Sequence, residues 1–189
     1  MSLKDLNINR HWTLFLDRDG IINRLLIEDY VKCWDDFEFL PGVLEALPVL
    51  KRLFGKLIIV SNQQGIGKGI VDQDAVEEVH SRMLKAIRKA GGDIHGIYFC
   101  PNIESDQHPC RKPGTGMAFQ AQKDFPRIEF SRSVMAGDTE SDMEFGRRLG
   151  MVNVLIAGEQ QRRSMDRALY DYLYPDLLSF TGEMKKYYL

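Results

Sequence analysis

The strongest constraint on the fold is a series of short, continuous apolar runs, each ending in small or polar residues. Five such runs recur along the 189 residues, at 13–17 (TLFLD), 56–62 (KLIIVSN), 96–100 (GIYFC), 133–138 (SVMAGD) and 153–157 (NVLIA). Continuous apolar sequence, as opposed to alternating sequence, is typical of strands buried on both faces of a parallel sheet. Each run therefore predicts a central strand.

Segments with helical periodicity lie between these runs. The clearest is 73–90, where apolar residues recur on one face, acids come early and bases come late, while His80 is placed on the exposed side. Weaker helices are predicted over 42–55 and 140–150. This alternation of strands and helices predicts an α/β fold, a Rossmann-like doubly wound parallel sheet with helices on both faces, whose site lies at the carboxyl ends of the strands.

Composition excludes several classes of function. The net charge of −2 gives no general attraction to nucleic acid or to an anionic membrane, and no apolar run approaches the length of a membrane span. The three cysteines, Cys33, Cys100 and Cys110, are too few to indicate a disulfide framework. With neither a linker nor a signal peptide in view, we expect 1–189 to form one domain of a reduced, cytoplasmic, monomeric protein.

Carboxylates follow two of the predicted strands. Asp17 and Asp19 end the first strand two residues apart, so both can face one cavity, although Asp19 could instead cap a turn with the glycine after it. Asp138 ends the fourth strand and Asp142 follows one helical turn later. Gathered carboxylates repel unless a cation lies among them, and Mg²⁺ suits such ligands; the alternative is that Asp138 caps the next helix.

Two further segments could hold a phosphate. Ser61 and Asn62 end the second strand before a glycine-rich loop whose spacing fits neither a P-loop nor a dinucleotide motif. We expect the Ser61 hydroxyl and nearby N–H groups to face a phosphate, although an ordinary loop would use the same glycines. Arg111 and Lys112 form a local cationic pair that suits phosphate oxygens, or alternatively two solvated loop charges.

Taken in order, these motifs resemble those of the haloacid dehalogenase-like (HAD-like) phosphatases over most of the chain. The segments FLDRDGIIN, SNQQGIG, CRKPGTGM and GDTESDM are similar to the branch that holds heptose bisphosphate and histidinol-phosphate phosphatases. The resemblance implies a minimal cap, with Asp17 as the nucleophile that forms an aspartyl-phosphate and Asp19 as the general acid and base. It also implies Mg²⁺ held by Asp17, the backbone carbonyl of Asp19 and Asp138, with Asp142 supporting the metal site without contacting the metal.

The resemblance assigns the substrate-binding residues as well. Ser61, Asn62 and Lys112 would bind the phosphate, and Arg111 would reach the substrate. Thr139 stands where relatives often carry Lys or Arg, a difference that bears on the identity of the substrate.

A structural zinc loop is also implied by the resemblance, but its ligands differ here. Cys100 and Cys110 match the first and last ligand positions, whereas Asn102 stands in place of His and His108 in place of Cys. Either zinc binds through Cys100, His108 and Cys110 with an acid from 104–106, or the loop is held by packing and hydrogen bonds.

The resulting expectation is a Mg²⁺-dependent phosphomonoesterase for a small phosphorylated sugar, D-glycero-D-manno-heptose 1,7-bisphosphate. The loops over 21–39 and 100–113 would supply specificity. One alternative is a histidinol-phosphate phosphatase, which the short span over 102–109 resembles. An alternative of another class is a non-catalytic phosphate-binding protein of the same fold.

Overall fold

In the computed structural model, which describes residues 3–158 and 165–189, six parallel strands form one sheet. The strands are β1 (Thr13–Leu16), β2 (Lys56–Asn62), β3 (Gly96–Cys100), β4 (Ser133–Gly137), β5 (Val152–Ile156) and β6 (Tyr172–Tyr174). Their order across the sheet is β3-β2-β1-β4-β5-β6. The doubly wound parallel fold predicted from the sequence is therefore confirmed.

The strand order places β1 at the centre, between β2 and β4. In the register of these strands, Leu16 at the end of β1 pairs with Ile59 of β2 and with Ala136 of β4. The chain runs outward from β1 to β3 on one side and then returns to β4 on the other. Such a reversal opens a crevice at the carboxyl ends of the central strands, where Asp17 continues from β1.

Helices fill the connections between the strands. They are α1 (Val43–Leu53), α2 (Gln64–Gly67), α3 (Gln73–Lys89), α4 (Gly116–Asp124), α5 (Glu140–Arg148) and α6 (Leu177–Tyr188). The predicted helices correspond to α1, α3 and α5, and the five predicted strands to β1–β5. The sequence pattern did not predict β6, α2, α4 or α6. The segment of α2 was expected to be a glycine-rich loop, β6 is a half-buried edge strand, and α4 has a narrow apolar face built partly of alanines.

Two hydrophobic cores cover the two faces of the sheet. Leu14 and Leu16 of β1 point to the face covered by α1, α3 and α6, whereas Phe15 points to the face covered by α4 and α5. All four residues of β1 are buried, as expected for a strand enclosed on both faces. Within the described ranges, no helix is both long and apolar enough to cross a membrane.

Candidate active site

The carboxyl ends of β1, β2 and β4 meet at one cavity of about 630 Å³, whose wall includes Asp17, Asp138 and Lys112. Asp17 is the first residue after β1, and its N–H donates to the carbonyl of Ala136 in the neighbouring strand (3.0 Å). Asp138 occupies the equivalent position after β4. The register of β1 and β4 therefore places two carboxylates side by side, as the sequence predicted.

Lys112 lies at the centre of these charges and is only 3% exposed. Its Nζ donates to the carbonyl of Val60 (2.8 Å) and to Asp142 Oδ1 (2.5 Å), and it forms an ion pair with Asp17 Oδ1 (2.8 Å). Burial alone would lower the pKa of Lys112, but the carboxylates of Asp142 and Asp17 raise it above its ordinary value. The ammonium therefore stays charged next to Asp17, and the alternative of a solvated loop charge is wrong for Lys112.

The acids around Lys112 carry more negative charge than one lysine neutralises. Burial, together with the neighbouring carboxylate of Asp142, raises the pKa of Asp17 to about 7, although Lys112 opposes this rise. Burial and the charges of Asp17 and Asp142 raise the pKa of Asp138 to about 8. Oxygens of Asp17, Asp138 and Asp142 lie within 4.8 Å of one another, and the buried Asp138 Oδ1 has no hydrogen-bond partner among the described residues. This donor set fits a hard divalent cation.

Gly20 allows the loop after β1 to lie directly against Asp138 at the end of β4. It adopts a φ of +85°, and a Cβ atom at this position would lie 2.3 Å from Asp138 Oδ2. A larger residue would clash with the carboxylate and would also be strained at this φ. The glycine of the first motif therefore keeps the loop after β1 close to the end of β4.

Asp19 is held by three donors on its two carboxylate oxygens. Arg18 Nη2 lies 2.9 Å from both Oδ1 and Oδ2, Asn23 Nδ2 donates to Oδ1 (2.9 Å), and Gln63 Nε2 donates to Oδ2 (2.8 Å). Burial alone would raise the pKa of Asp19, but the Arg18 guanidinium and these hydrogen bonds hold the pKa below its ordinary value. The carboxylate accepts from side chains, and so its alternative role as a simple turn cap is wrong.

A buried Arg18–His80 pair lies behind Asp19. Arg18 is 1% exposed, and its Nη1 lies 3.0 Å from His80 Nε2. The prediction that His80 lies on the exposed side of α3 is wrong, because this residue is 5% exposed and faces Arg18. Burial and the guanidinium lower the pKa of His80 to about 3, and the neutral ring accepts a hydrogen bond from Arg18. A buried arginine needs a hydrogen-bond partner, but nothing in the DRDG segment indicates that the partner of Arg18 is His80.

The end of β2 contributes three adjacent polar residues with different roles. Ser61 is buried in the cavity wall, and its Oγ accepts from Gln63 Nε2 (2.8 Å). The amide of Asn62 is engaged with Lys112, since its Oδ1 accepts from the Lys112 N–H (2.9 Å) and its Nδ2 donates to the Lys112 carbonyl (3.1 Å). Asn62 therefore positions the loop that carries Lys112. Gln63 was not among the predicted site residues, although it shares the face of Ser61, two residues away.

Asp142 joins the lysine to the start of α5. Its Oδ2 accepts from both the N–H (3.0 Å) and the hydroxyl (2.6 Å) of Thr139, while its Oδ1 accepts from Lys112. The N-terminal cap of α5 is Thr139, and so the alternative in which Asp138 caps this helix is wrong. Asp138 remains available to the cavity.

The cysteine loop departs from both predicted forms. Cys100 and Cys110 form a disulfide, which contradicts the prediction of a fully reduced protein. His108 Nδ1 lies 2.9 Å from Cys110 Sγ, so the three proposed zinc donors do converge. A disulfide leaves neither cysteine with a thiolate, however, and zinc binds thiolates. In this form the donor set does not fit zinc, while the loop still brings Arg111 to the cavity wall.

Acidic and basic side chains surround the buried carboxylate of Asp17, at the switch point of a doubly wound sheet. Such a site can bind a phosphate and bring a nucleophile to it. The class of protein defined by this fold and site is a HAD-like phosphatase.

Comparison with known proteins agrees with this class. Residues 109–179 match the HAD-hydrolase-like family. The D-glycero-alpha-D-manno-heptose-1,7-bisphosphate 7-phosphatase of Mycobacterium bovis is 33% identical over 169 residues, which cover 89% of each chain. The D-glycero-beta-D-manno-heptose-1,7-bisphosphate 7-phosphatase of Photorhabdus laumondii is 38% identical, over 69% of this chain and 72% of that protein.

The fold also matches a solved structure, the D,D-heptose 1,7-bisphosphate phosphatase from B. bronchiseptica complexed with magnesium and phosphate. The TM-score is 0.83 at 24% identity, over 93% of this chain and 98% of that chain. The chain belongs to the HAD-like hydrolase family and is a phosphatase, which confirms the resemblance seen in the sequence.

Proposed function

We propose that this chain is a Mg²⁺-dependent phosphatase that removes one phosphate from D-glycero-D-manno-heptose 1,7-bisphosphate through an aspartyl-phosphate. The heptose bisphosphate phosphatases among its relatives, at 33% and 38% identity, support the choice of substrate. The observation that carries the chemistry is the buried Asp17 carboxylate, which lies 2.8 Å from a charged lysine at the end of the central strand.

Asp17 is the nucleophile in this proposal. One of its oxygens attacks phosphorus as the bond to the leaving sugar oxygen breaks, which gives the aspartyl-phosphate. The ammonium of Lys112 then offsets the negative charge of the phosphoryl oxygens. The Val60 carbonyl and Asp142 keep this ammonium in place when it exchanges its contact with Asp17 for one with the phosphate. The Ser61 hydroxyl in the cavity wall donates to another phosphoryl oxygen.

Asp19 is the general acid and base. In the free protein its three donors favour the anion, and a phosphate dianion entering the cavity raises its pKa by like-charge repulsion. Asp19 can then give a proton to the leaving sugar oxygen and later accept one from the water that hydrolyses the aspartyl-phosphate. Gln63 Nε2 contacts both Asp19 (2.8 Å) and Ser61 (2.8 Å), and thereby fixes the acid relative to the phosphate-binding hydroxyl.

Mg²⁺ would be held by Asp17, the backbone carbonyl of Asp19 and Asp138, whose Oδ1 lacks a hydrogen-bond partner in the described part of the chain. A bound Mg²⁺ supplies positive charge that offsets the gathered carboxylates and the phosphate. Asp142 supports this arrangement from outside, because both of its oxygens are already engaged with Lys112 and Thr139.

The test is phosphate release with Mg²⁺ from heptose 1,7-bisphosphate, histidinol phosphate and common sugar monophosphates. We expect the heptose bisphosphate to have the highest kcat/KM. Asp17→Asn should lose activity by a factor of at least about 10³ while remaining folded, because an amide is a poor nucleophile. Asp74→Asn, at an exposed acid in the first turn of α3 outside the cavity wall, is the matched control and should behave as wild type. A preference for histidinol phosphate or an active Asp17→Asn variant would contradict the proposal.

A further inference from the structure

The cavity has two kinds of basic side chain in its wall. Arg18 and Lys112 are paired with carboxylates, the first with Asp19 (2.9 Å) and the second with Asp17 and Asp142. Arg111 and Lys68 also line the cavity, and neither forms an ion pair with any described residue. A small ligand with a second anionic group would meet these unneutralised cations once its first phosphate had reached Asp17.

Lys68 is held over the cavity by Tyr30. The Lys68 Nζ donates to the Tyr30 hydroxyl (2.9 Å) and lies 5.6 Å from the centre of its ring. The ring packs closely on α2, since a Cβ atom at Gly65 would lie 3.0 Å from Tyr30 Cγ. The Lys68 N–H also donates to the carbonyl of Gln64 (3.0 Å). An exposed lysine is therefore fixed at both its backbone and its ammonium, which lowers the entropy cost of binding an anion.

Position 139 in the cavity wall carries no positive charge comparable to that of Lys68. Thr139 lines the cavity, but its hydroxyl is engaged with Asp142 (2.6 Å) and lies 3.0 Å from Ser141 Oγ. Arg111 is only weakly held, with contacts of 3.3 Å to the Asn102 carbonyl and 3.4 Å to Gln64 Oε1. A tightly held positive charge for a second phosphate is thus found on the loop after α2.

We propose that Lys68 is a specificity-determining residue that binds the second phosphate of a sugar bisphosphate, and that the Tyr30 hydroxyl positions its ammonium. This inference rests on the proposed function, because it requires a substrate with two phosphates. Lys68 donates to oxygens of the phosphate that is not transferred, and it contacts neither the reacting phosphorus nor the leaving oxygen. It therefore acts on binding and leaves the chemical step to Asp17 and Asp19.

The experiment compares Lys68→Met with wild type on two substrates, heptose 1,7-bisphosphate and the same heptose carrying only the 7-phosphate. We expect KM for the bisphosphate to rise about tenfold to a hundredfold, the range of a lost charge-assisted hydrogen bond, with kcat little changed. The loss of kcat/KM should be at least about tenfold larger for the bisphosphate than for the monophosphate. Lys68→Arg should recover most of the loss, and Tyr30→Phe should raise the same KM by a smaller factor.

Lys85→Met, at an exposed lysine of α3 outside the cavity wall, is the matched control and should leave both substrates unaffected. An equal loss on the two substrates, or no loss on either, would overturn the role of Lys68 while the proposed function stands. Wild-type protein that is inactive on the bisphosphate would overturn both.

Discussion

Replacing Lys112 with Met tests the central charge balance of the site. Lys112→Met keeps the length of the side chain but removes an ammonium that contacts Asp17 (2.8 Å), Asp142 (2.5 Å) and the Val60 carbonyl (2.8 Å). Removing one partner of a buried ion pair leaves an uncompensated charge and costs about 3 to 5 kcal/mol. In a chain of 189 residues this corresponds to a Tm lower by about 6 to 20 °C.

The cost should depend on pH because the carboxylates can neutralise themselves by binding protons. Lys112 holds down the pKa values of Asp17 and Asp138, so both pKa values rise further in the variant. A carboxyl group whose pKa is raised in the folded state loses stability as pH rises from its unfolded value toward its folded value. The difference in unfolding free energy between wild type and Lys112→Met should therefore be small near pH 5 and large near pH 8.

Urea unfolding of both proteins at pH 5 and pH 8, with EDTA present, measures this difference. Lys89→Met, at an exposed lysine of α3, is the matched control and should change stability by less than about 0.5 kcal/mol at either pH. A Lys112→Met variant as stable as this control at pH 8, or destabilised equally at both pH values, would refute the charge balance read from the structure.

Two further predictions concern metal ions. The raised pKa values of Asp17 (about 7) and Asp138 (about 8) mean that these two carboxyl groups bind more protons in the folded metal-free protein than in the unfolded chain. His80, whose pKa falls from 6.5 to about 3 on folding, has the opposite effect below pH 6.5, so the effect of the carboxyl groups is unopposed by this histidine between about pH 6.5 and pH 8. The Tm of the protein in EDTA should therefore fall as pH rises through this range, and adding Mg²⁺ at pH 8 should restore it; a Tm that rises with pH in EDTA would contradict the shifts. Protein prepared without reductant should contain negligible zinc and an intact Cys100–Cys110 bond by mass spectrometry, because a disulfide provides no thiolate. Stoichiometric zinc in such protein would contradict the disulfide.

The sequence predicted the parts of the site that follow directly from strand geometry. Asp17, Ser61 and Asp138 come at or just beyond the ends of strands whose apolar runs are unmistakable, and parallel strands in register bring such residues together. The same strand geometry brings the carboxylates of Asp17 and Asp138 and the hydroxyl of Ser61 to one edge of the sheet. None of these inferences required knowledge of side-chain packing.

Side-chain pairing over long sequence distances was outside the reach of the pattern. His80 is 62 residues from Arg18, and the sequence carries no signal that pairs them. Its burial, however, follows from the helical spacing, since His80 shares the apolar face of α3, four residues after Val76 and three before Met83. Asn62 lines the cavity, as expected for a substrate-binding residue, but its hydrogen bonds to the backbone of Lys112, 50 residues away, could not be read from the sequence. The disulfide was missed because three cysteines in 189 residues carry no pairing signal, and only the loop geometry brings two of them together.

The cavity has a buried end around Asp17 and an outer end around Lys68, and substitutions at these two ends differ in their cost to stability. Where the cavity meets Asp17, the charged groups of Asp142, Lys112 and Asp17 are tied together, since Asp142 holds Lys112 and Lys112 forms an ion pair with Asp17. A change in any one of them strands a buried charge, which costs several kcal/mol as well as activity. At the outer end, Lys68 is exposed and hydrogen-bonded through its ammonium to one tyrosine hydroxyl, so its replacement exposes no buried group. Substrate preference can therefore change at the outer end with little loss of stability, whereas the phosphoryl-transfer chemistry is tied to the folding of the central strands.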